Sequence, residues 1–160
     1  MTIAVGDPIP AVTLVKMTDH GPEKVDAKDY FGNRRIALFS VPGAFTPTCS
    51  AKHLPGFVEK ADALKAKGID EIVGTAVNDV FVMGAWGKAG NVGDKVTLLA
   101  DGNGDFVKAL GLTMDGSGFG MGTRGQRFAM VINKGKVEQL DVEAPGEFRV
   151  SSAEHLLSQL

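Results

Sequence analysis

The sequence predicts one α/β domain over residues 1–160, built on a central mixed β-sheet flanked by helices. Three observations carry this. Apolar runs of strand length alternate with helical spacing through the middle of the chain, a glycine-bearing hairpin signal follows them, and an amphipathic helix closes the C-terminus. A chain of 160 residues is long enough to bury roughly two thirds of its unfolded surface around one core. No repeat and no linker divides it.

Residues 34–41 (RRIALFSV) form a continuous apolar run with a polar start, stopped at once by Pro42 and Gly43, and read as a buried parallel strand. Residues 46–68 have helical spacing in Phe57, Val58, Ala61 and Leu64 and close on Gly68. Pro55 should kink this helix. Residues 71–78 (EIVGTAVN) make a second buried strand. Residues 79–90 make a helix capped by Asp79 or Asn78, and residues 95–101 (KVTLLAD) a third strand. A short helix (GDFVKALGL, residues 104–112) and a glycine-rich loop (DGSGFGMGTRG, residues 115–125) follow. Residues 127–143 read as two strands joined by NKGK, with glycine at a left-handed position. Ser151 or Ser152 caps the terminal helix, which presents Leu156, Leu157 and Leu160 on one face.

Hydrophobic residues make up 44% of the chain and charged residues 22%, which fits a folded globule rather than a disordered or fibrous chain. A formal charge of −2 with scattered Lys and Arg gives no basic stripe for nucleic acid. No apolar run approaches the roughly 20 residues that a membrane span needs. MTIAVGDPIPAV lacks the basic start and apolar run of a secretory signal, so a soluble, cytoplasmic protein is expected. One cysteine, Cys49, cannot form an internal disulfide.

The stretch VPGAFTPTC gives that cysteine a particular setting. Thr46 suits an N-cap and Pro47 the first helical position, which places Cys49 in the first turn. There the helix dipole and unpaired N–H groups favour an anion, so a thiolate is expected at neutral pH. Pro42 would wall one side and keep the pocket small. Free cysteines are more often buried space-fillers than nucleophiles. Against that stand the strand-end, helix-start position, the flanking prolines and the Thr46 hydroxyl, so the residues alone leave both readings open.

Pro42, Thr46 and Cys49 form P-x-x-x-T-x-x-C, which resembles the active-site motif of the peroxiredoxins. The blocks VPGAFTPTCSAKHLPGF, NDVFVMGAWGKA, VTLLADGNGDFVKALG and RFAMVI are similar to the type II, or peroxiredoxin 5, class, and the likeness runs from about Val5 to Leu160. It implies a thioredoxin-like fold and a thiol peroxidase acting on hydrogen peroxide and alkyl hydroperoxides through a Cys49 sulfenic acid. By the same resemblance Cys49 is the nucleophile, Pro42 the shield, and Thr46, the Cys49 N–H and Arg127 the donors that orient the peroxide. No cofactor and no metal are implied. Family members with a resolving cysteine place it elsewhere in the chain, in some near residue 150; here Val150 stands there. A one-cysteine mechanism follows, with an external thiol as reductant: glutathione, with or without glutaredoxin, or thioredoxin. The family also implies a homodimer, with residues 45–48 and 81–86 packed across a twofold axis.

Other candidates are weaker. Arg124 reads as a solvent-exposed loop charge before it reads as a site residue. His53 lies four residues after Cys49 on the same helix, where a general base rarely approaches from, so packing or a hydrogen bond near the site is its expected role. A Cys-His acyl-transfer enzyme therefore lacks its base. His20 and His155 read as surface residues, and Trp86 and Phe45 as core or dimer-contact aromatics. GMGTRG satisfies G-x-G-x-x-G but precedes a strand rather than a helix, so it is a flexible loop and not a dinucleotide site. DGNGDF starts like a calcium loop, but Phe106 stands where glycine is required and Leu112 where glutamate is. The alternative to a peroxidase is a redox sensor that uses the same cysteine without turnover.

Overall fold

The computed structural model describes residues 2–160. Its centre is β3 (Arg35–Ser40), where five consecutive residues after Arg35 are buried. Such a run can only sit between two covered faces, and alternation along it assigns the faces. Ala37 and Phe39 point into one hydrophobic cluster, Ile36 and Leu38 into the other. β4 (Glu71–Ala76) and β5 (Thr97–Ala100) run parallel to β3 on one side. On the other side β8 (Phe128–Asn133) pairs antiparallel with β3, and β9 (Lys136–Val142) with β8. β1 (Thr13–Thr18) and β2 (Gly21–Asp26) complete a mixed seven-stranded sheet of order β2-β1-β5-β4-β3-β8-β9.

One face carries α2 (Leu54–Glu59), α3 (Ala61–Ala66), α4 (Val80–Ala89) and α6 (Ala153–Ser158), which bury Phe57, Leu64, Trp86 and Leu156. The other carries α1 (Ala27–Tyr30) and α5 (Asp105–Leu110), with Phe31, Phe106 and Leu110 packed beneath. Each such side chain is worth about 1.5–3 kcal/mol of burial, so both faces are firmly held. Among the described residues no helix is long and apolar enough to cross a membrane.

Most expected elements are present. Asp79 caps α4 by accepting from Val82 N–H, and Ser152 caps α6 by accepting from His155 N–H. The NKGK turn carries left-handed backbone at Lys134 and Gly135. Three features differ from expectation. The hairpin β1–β2 at the edge of the sheet is not expected from the sequence, because its strands are half exposed and hold no continuous apolar run, and the outer strand β2 opens on Gly21 and Pro22. Residues 115–125, read as a flexible loop, instead form much of a small hairpin of β6 (Thr113–Asp115) and β7 (Thr123–Gly125) around a 3₁₀ turn. The helix expected over residues 46–68 is broken into a π-turn at Cys49–His53, then α2 and α3.

Proline chemistry explains the π-turn. Pro55 has no N–H to give to the Ala51 carbonyl, so the usual i to i−4 ladder loses a rung. The ladder widens instead, and Leu54 N–H donates to the Cys49 carbonyl five residues back. What reads as a kink is thus taken up as one wide turn that begins at the cysteine.

Candidate active site

The parallel strands β3 and β4 end together, and their loops meet at the carboxyl edge of the sheet, where open α/β sheets place ligands. After β3 comes half-buried Pro42, then Gly43, where a side chain would meet the Met121 methyl at 3.1 Å and the Thr46 methyl at 3.2 Å. After β4, Asn78 Oδ1 accepts from Ala44 N–H at 2.9 Å and pins the loop. Phe45 takes a left-handed φ of 63° at the tip, costly for a residue with a side chain and accepted only where the surroundings compel it. Helical structure begins at Pro47, as expected.

Thr46 sits at the cap position but does not cap with its side chain. Its hydroxyl donates to the Gly43 carbonyl at 2.7 Å, while its own carbonyl accepts from Ser50 N–H at 2.9 Å. The hydroxyl hydrogen is therefore engaged within the loop, and what Oγ1 can offer a substrate is a lone pair rather than the expected donor.

Cys49 is fully buried. Its sulfur accepts from Nη2 of Arg127 at 3.2 Å. Pairing of Ser40 with Phe128 brings the start of β8 to the end of β3, and the Ser40 hydroxyl donates to the Gln126 carbonyl at 2.9 Å. Arg127, one residue before the strand, is thereby delivered across the sheet end to a cysteine 78 residues away in sequence.

The other guanidinium nitrogen, Nη1, lies 3.0 Å from Nδ1 of His53. Nε2 of the same ring lies 2.8 Å from the Ser151 carbonyl. A carbonyl only accepts, so Nε2 carries the hydrogen and Nδ1 accepts from Arg127. Burial first and the Arg127 charge second lower the His53 pKa to about 3, against the opposing Ser151 carbonyl and Glu143. The imidazole is neutral. Phe39 and Phe148 lie 5.0 and 4.9 Å from it, and Phe39 stacks on Phe57 at 4.3 Å. His53 has the expected hydrogen-bond and packing role, with no acceptor nitrogen facing the sulfur.

Arg124 is not a free loop charge. It is half buried, donating through Nη1 to the Val77 carbonyl and through Nε to the Met121 carbonyl, both at 2.9 Å. It ties β6–β7 to the end of β4 because the loop carbonyls there lack ladder partners. Trp86 is buried and donates to the Ser50 hydroxyl at 3.0 Å, whereas Phe45 is 54% exposed. His20 is exposed and His155 half buried. Asp101, the first residue of the calcium-like stretch, accepts from Phe106 and Val107 N–H and so caps α5.

A buried cysteine sulfur touched by a permanently charged donor at a helix start is placed to receive an oxygen on sulfur. Comparison with known proteins agrees. The Redoxin family model matches residues 4–157. Peroxiredoxin-2B of Arabidopsis thaliana is 45% identical over 159 residues, covering 99% of this chain and 98% of the relative. The chain belongs to the peroxiredoxin family.

Among solved peroxiredoxins, reduced Prx3 of Vibrio vulnificus in complex with hydrogen peroxide superposes with a TM-score of 0.95 at 50% identity, covering 99% of both chains. Peroxiredoxin 5 of Alvinella pompejana superposes at 0.86 with 35% identity, covering 98% of this chain and 96% of that one. The fold is thus the thioredoxin-like fold of the family, in its type II class, and this chain is a thiol peroxidase family member with a single cysteine. The sequence held only a faint signal for one further part of this peroxiredoxin site, His53, through its i+4 spacing from Cys49. For Glu143, Phe148 and Ser151, which reach the site through a loop, it held none.

Proposed function

We propose that this peroxiredoxin reduces hydrogen peroxide and alkyl hydroperoxides by a one-cysteine cycle centred on Cys49. The observation that carries the proposal is the Arg127 Nη2 to Cys49 Sγ contact of 3.2 Å. The Cys49 thiolate attacks the nearer peroxide oxygen; the S–O bond forms, the O–O bond breaks, and the departing oxygen takes a proton to leave as water or alcohol. Arg127 stabilises sulfur before the attack and the negative charge on the oxygens during it. Thr46 Oγ1 accepts from the hydroperoxide O–H, and Pro42 shields the sulfur from bulk water.

With no second cysteine in the chain, the sulfenic acid condenses with an external thiol, releasing water and leaving a mixed disulfide. A second thiol then frees Cys49. Glutathione, alone or through glutaredoxin, is the proposed reductant, with thioredoxin second. We also propose a homodimer, supported by Phe45 at 54% and Phe81 at 67% exposure, since large exposed apolar side chains are what a twofold interface covers. Sedimentation finding monomer alone at micromolar concentration would refute that part.

The deciding experiment mixes reduced protein with one equivalent of hydrogen peroxide and follows Cys49 by rapid quench with a sulfenic-acid trap, then adds each reductant. Oxidation orders of magnitude faster than free cysteine, followed by many turnovers with glutathione, is the expected result. A rate like that of free cysteine would end the peroxidase reading, and a single oxidation without turnover under every reductant would make the protein a sensor.

A further inference from the structure

Glu143 follows β9 and is 6% exposed, yet no part of the chemistry above uses it. Its backbone N–H donates to the Arg127 carbonyl at 3.0 Å, so the two residues are neighbours at the end of the sheet. Its carboxylate gathers a whole segment of backbone. Arg149 N–H donates to its two oxygens at 2.9 and 2.8 Å, Val150 N–H at 2.9 Å and Ser151 N–H at 2.8 Å, and the Ser151 hydroxyl adds a bond of 2.7 Å. Burial works against the charge, but the Ser151 hydroxyl and these three backbone N–H groups outweigh it and hold the carboxyl below its ordinary value.

A buried carboxylate is an expensive way to fasten a surface loop, because its desolvation must be matched by every bond it accepts. What the clasp positions accounts for it. The held segment presents the Ser151 carbonyl to His53 Nε2 and lays the Phe148 ring 4.9 Å from the imidazole and 5.8 Å from the Arg127 guanidinium carbon. That carbonyl decides the tautomer: Nε2 donates, Nδ1 is bare, and only a bare Nδ1 can accept from Arg127 Nη1. Among the described residues no carboxylate lies within ion-pair distance of Arg127. The guanidinium is braced by a neutral ring, so its charge stays undivided for the sulfur, while the acid that organises the brace acts from three hydrogen bonds away.

We propose that Glu143 is a positioning residue for the Cys49 reaction: by clasping residues 149–151 it fixes the Ser151 carbonyl, hence the His53 tautomer, hence the aim of Arg127 at the sulfur. The inference rests on the peroxidase reading above. It assigns Glu143 no contact with the peroxide.

The test measures two things in Glu143→Gln, whose amide removes the charge and replaces one accepting oxygen with a donor. Cys49 oxidation by hydrogen peroxide, normalised to the folded fraction, should slow by roughly 10- to 100-fold, the scale on which small misplacements act. The ¹⁵N spectrum of His53 should lose its single Nε2–H form. A double-mutant cycle with His53→Phe then asks whether the effect passes through the ring: in that background Glu143→Gln should change the rate by no more than about twofold.

Wild-type rate and an unchanged His53 tautomer in Glu143→Gln would overturn the proposal, as would a full loss of rate that persists in the His53→Phe background. Should Glu143→Gln fail to fold, Ser151→Ala deletes one clasp bond and keeps the carbonyl. Slower oxidation with mixed His53 tautomers then supports the proposal, and wild-type values for both overturn it. If wild-type Cys49 itself reacts like free cysteine, the peroxidase reading and this inference fall together; a fast wild type with an indifferent Glu143→Gln sinks the inference alone.

Discussion

His53 Nδ1 stands 3.0 Å from Arg127 Nη1, and the same guanidinium reaches Cys49 Sγ through Nη2 at 3.2 Å. One planar group thus spans a neutral base and a sulfur, a span that a point charge cannot reproduce.

Arg127→Lys separates charge from shape. Lysine keeps the positive charge, but its donors radiate from one nitrogen, which cannot occupy the two separate Nη positions that face His53 and the sulfur. Loss of one such preorganised donor typically costs about 10²–10³ in rate, and Cys49 oxidation in Arg127→Lys should fall on that scale and approach Arg127→Ala. Rapid-quench trapping of the sulfenic acid measures it, and near-wild-type oxidation by the lysine variant would show that charge alone suffices.

Thr46 is tested by a pair of variants. Thr46→Ser keeps the hydroxyl bond to the Gly43 carbonyl, and Thr46→Val removes it. Thr46→Val should lose about 1 kcal/mol of stability for the missing bond and its buried, unpaired carbonyl. It should also oxidise Cys49 at least about tenfold more slowly once the loop lone pair is gone. Thr46→Ser should stay close to wild type in both denaturant melts and oxidation kinetics.

His53 makes stability depend on pH with a definite sign. Its pKa of 6.5 in the unfolded chain drops to about 3 in the fold. Between those values the unfolded state binds the proton and the folded state does not, so stability is lost as pH falls below about 6.5. The slope approaches roughly 1.4 kcal/mol per pH unit, the value for one proton. Glu143, whose carboxyl is held below its ordinary 4.5, contributes in the same direction as pH falls through that value, where the unfolded carboxyl takes up its proton before the folded one. Denaturant unfolding of wild type and His53→Phe from pH 7 to pH 5 checks this: the variant should flatten the slope in that window, and parallel curves would contradict the assignment.

Gly74 on β4 makes room for the aromatic wall of the site. A methyl there would lie 2.6 Å from the Phe39 ring and 2.8 Å from a Leu98 methyl. Gly74→Ala should therefore cost about 1–3 kcal/mol by overpacking. Because Phe39 packs on His53 and Phe57, the variant should also broaden the His53 ring signals. A Tm within a degree of wild type would mean that the ring moves aside freely.

The fold was legible where periodicity was strong. Residues 34–41, 71–78 and 95–101 carry continuous apolar runs because their strands are covered on both faces, and all three are strands of the sheet. The edge hairpin β1–β2 and the short hairpin β6–β7 were not legible. Strands that are half exposed and glycine-bearing leave no period-two pattern to read. The π-turn at Cys49–His53 was half legible: Pro55 announces a broken ladder, but whether the chain kinks or widens depends on what packs around it.

By itself the sequence determined the nucleophile candidate and its local setting, because Pro42, Thr46, Pro47 and Cys49 lie within eight consecutive residues and act through local backbone geometry. Resemblance to a known family singled out Arg127 as their partner. Only the tertiary structure decided how the guanidinium is aimed. Ser40–Phe128 pairing carries Arg127 to the sheet end, the Ser151 carbonyl selects the His53 tautomer, and Glu143 holds the segment that supplies that carbonyl. The bonds that aim it join Arg127 to His53 across 74 positions, Arg127 to Cys49 across 78 and His53 to Ser151 across 98, and the tautomer is chosen by a backbone carbonyl that every residue possesses, so no spacing in the sequence could signal them.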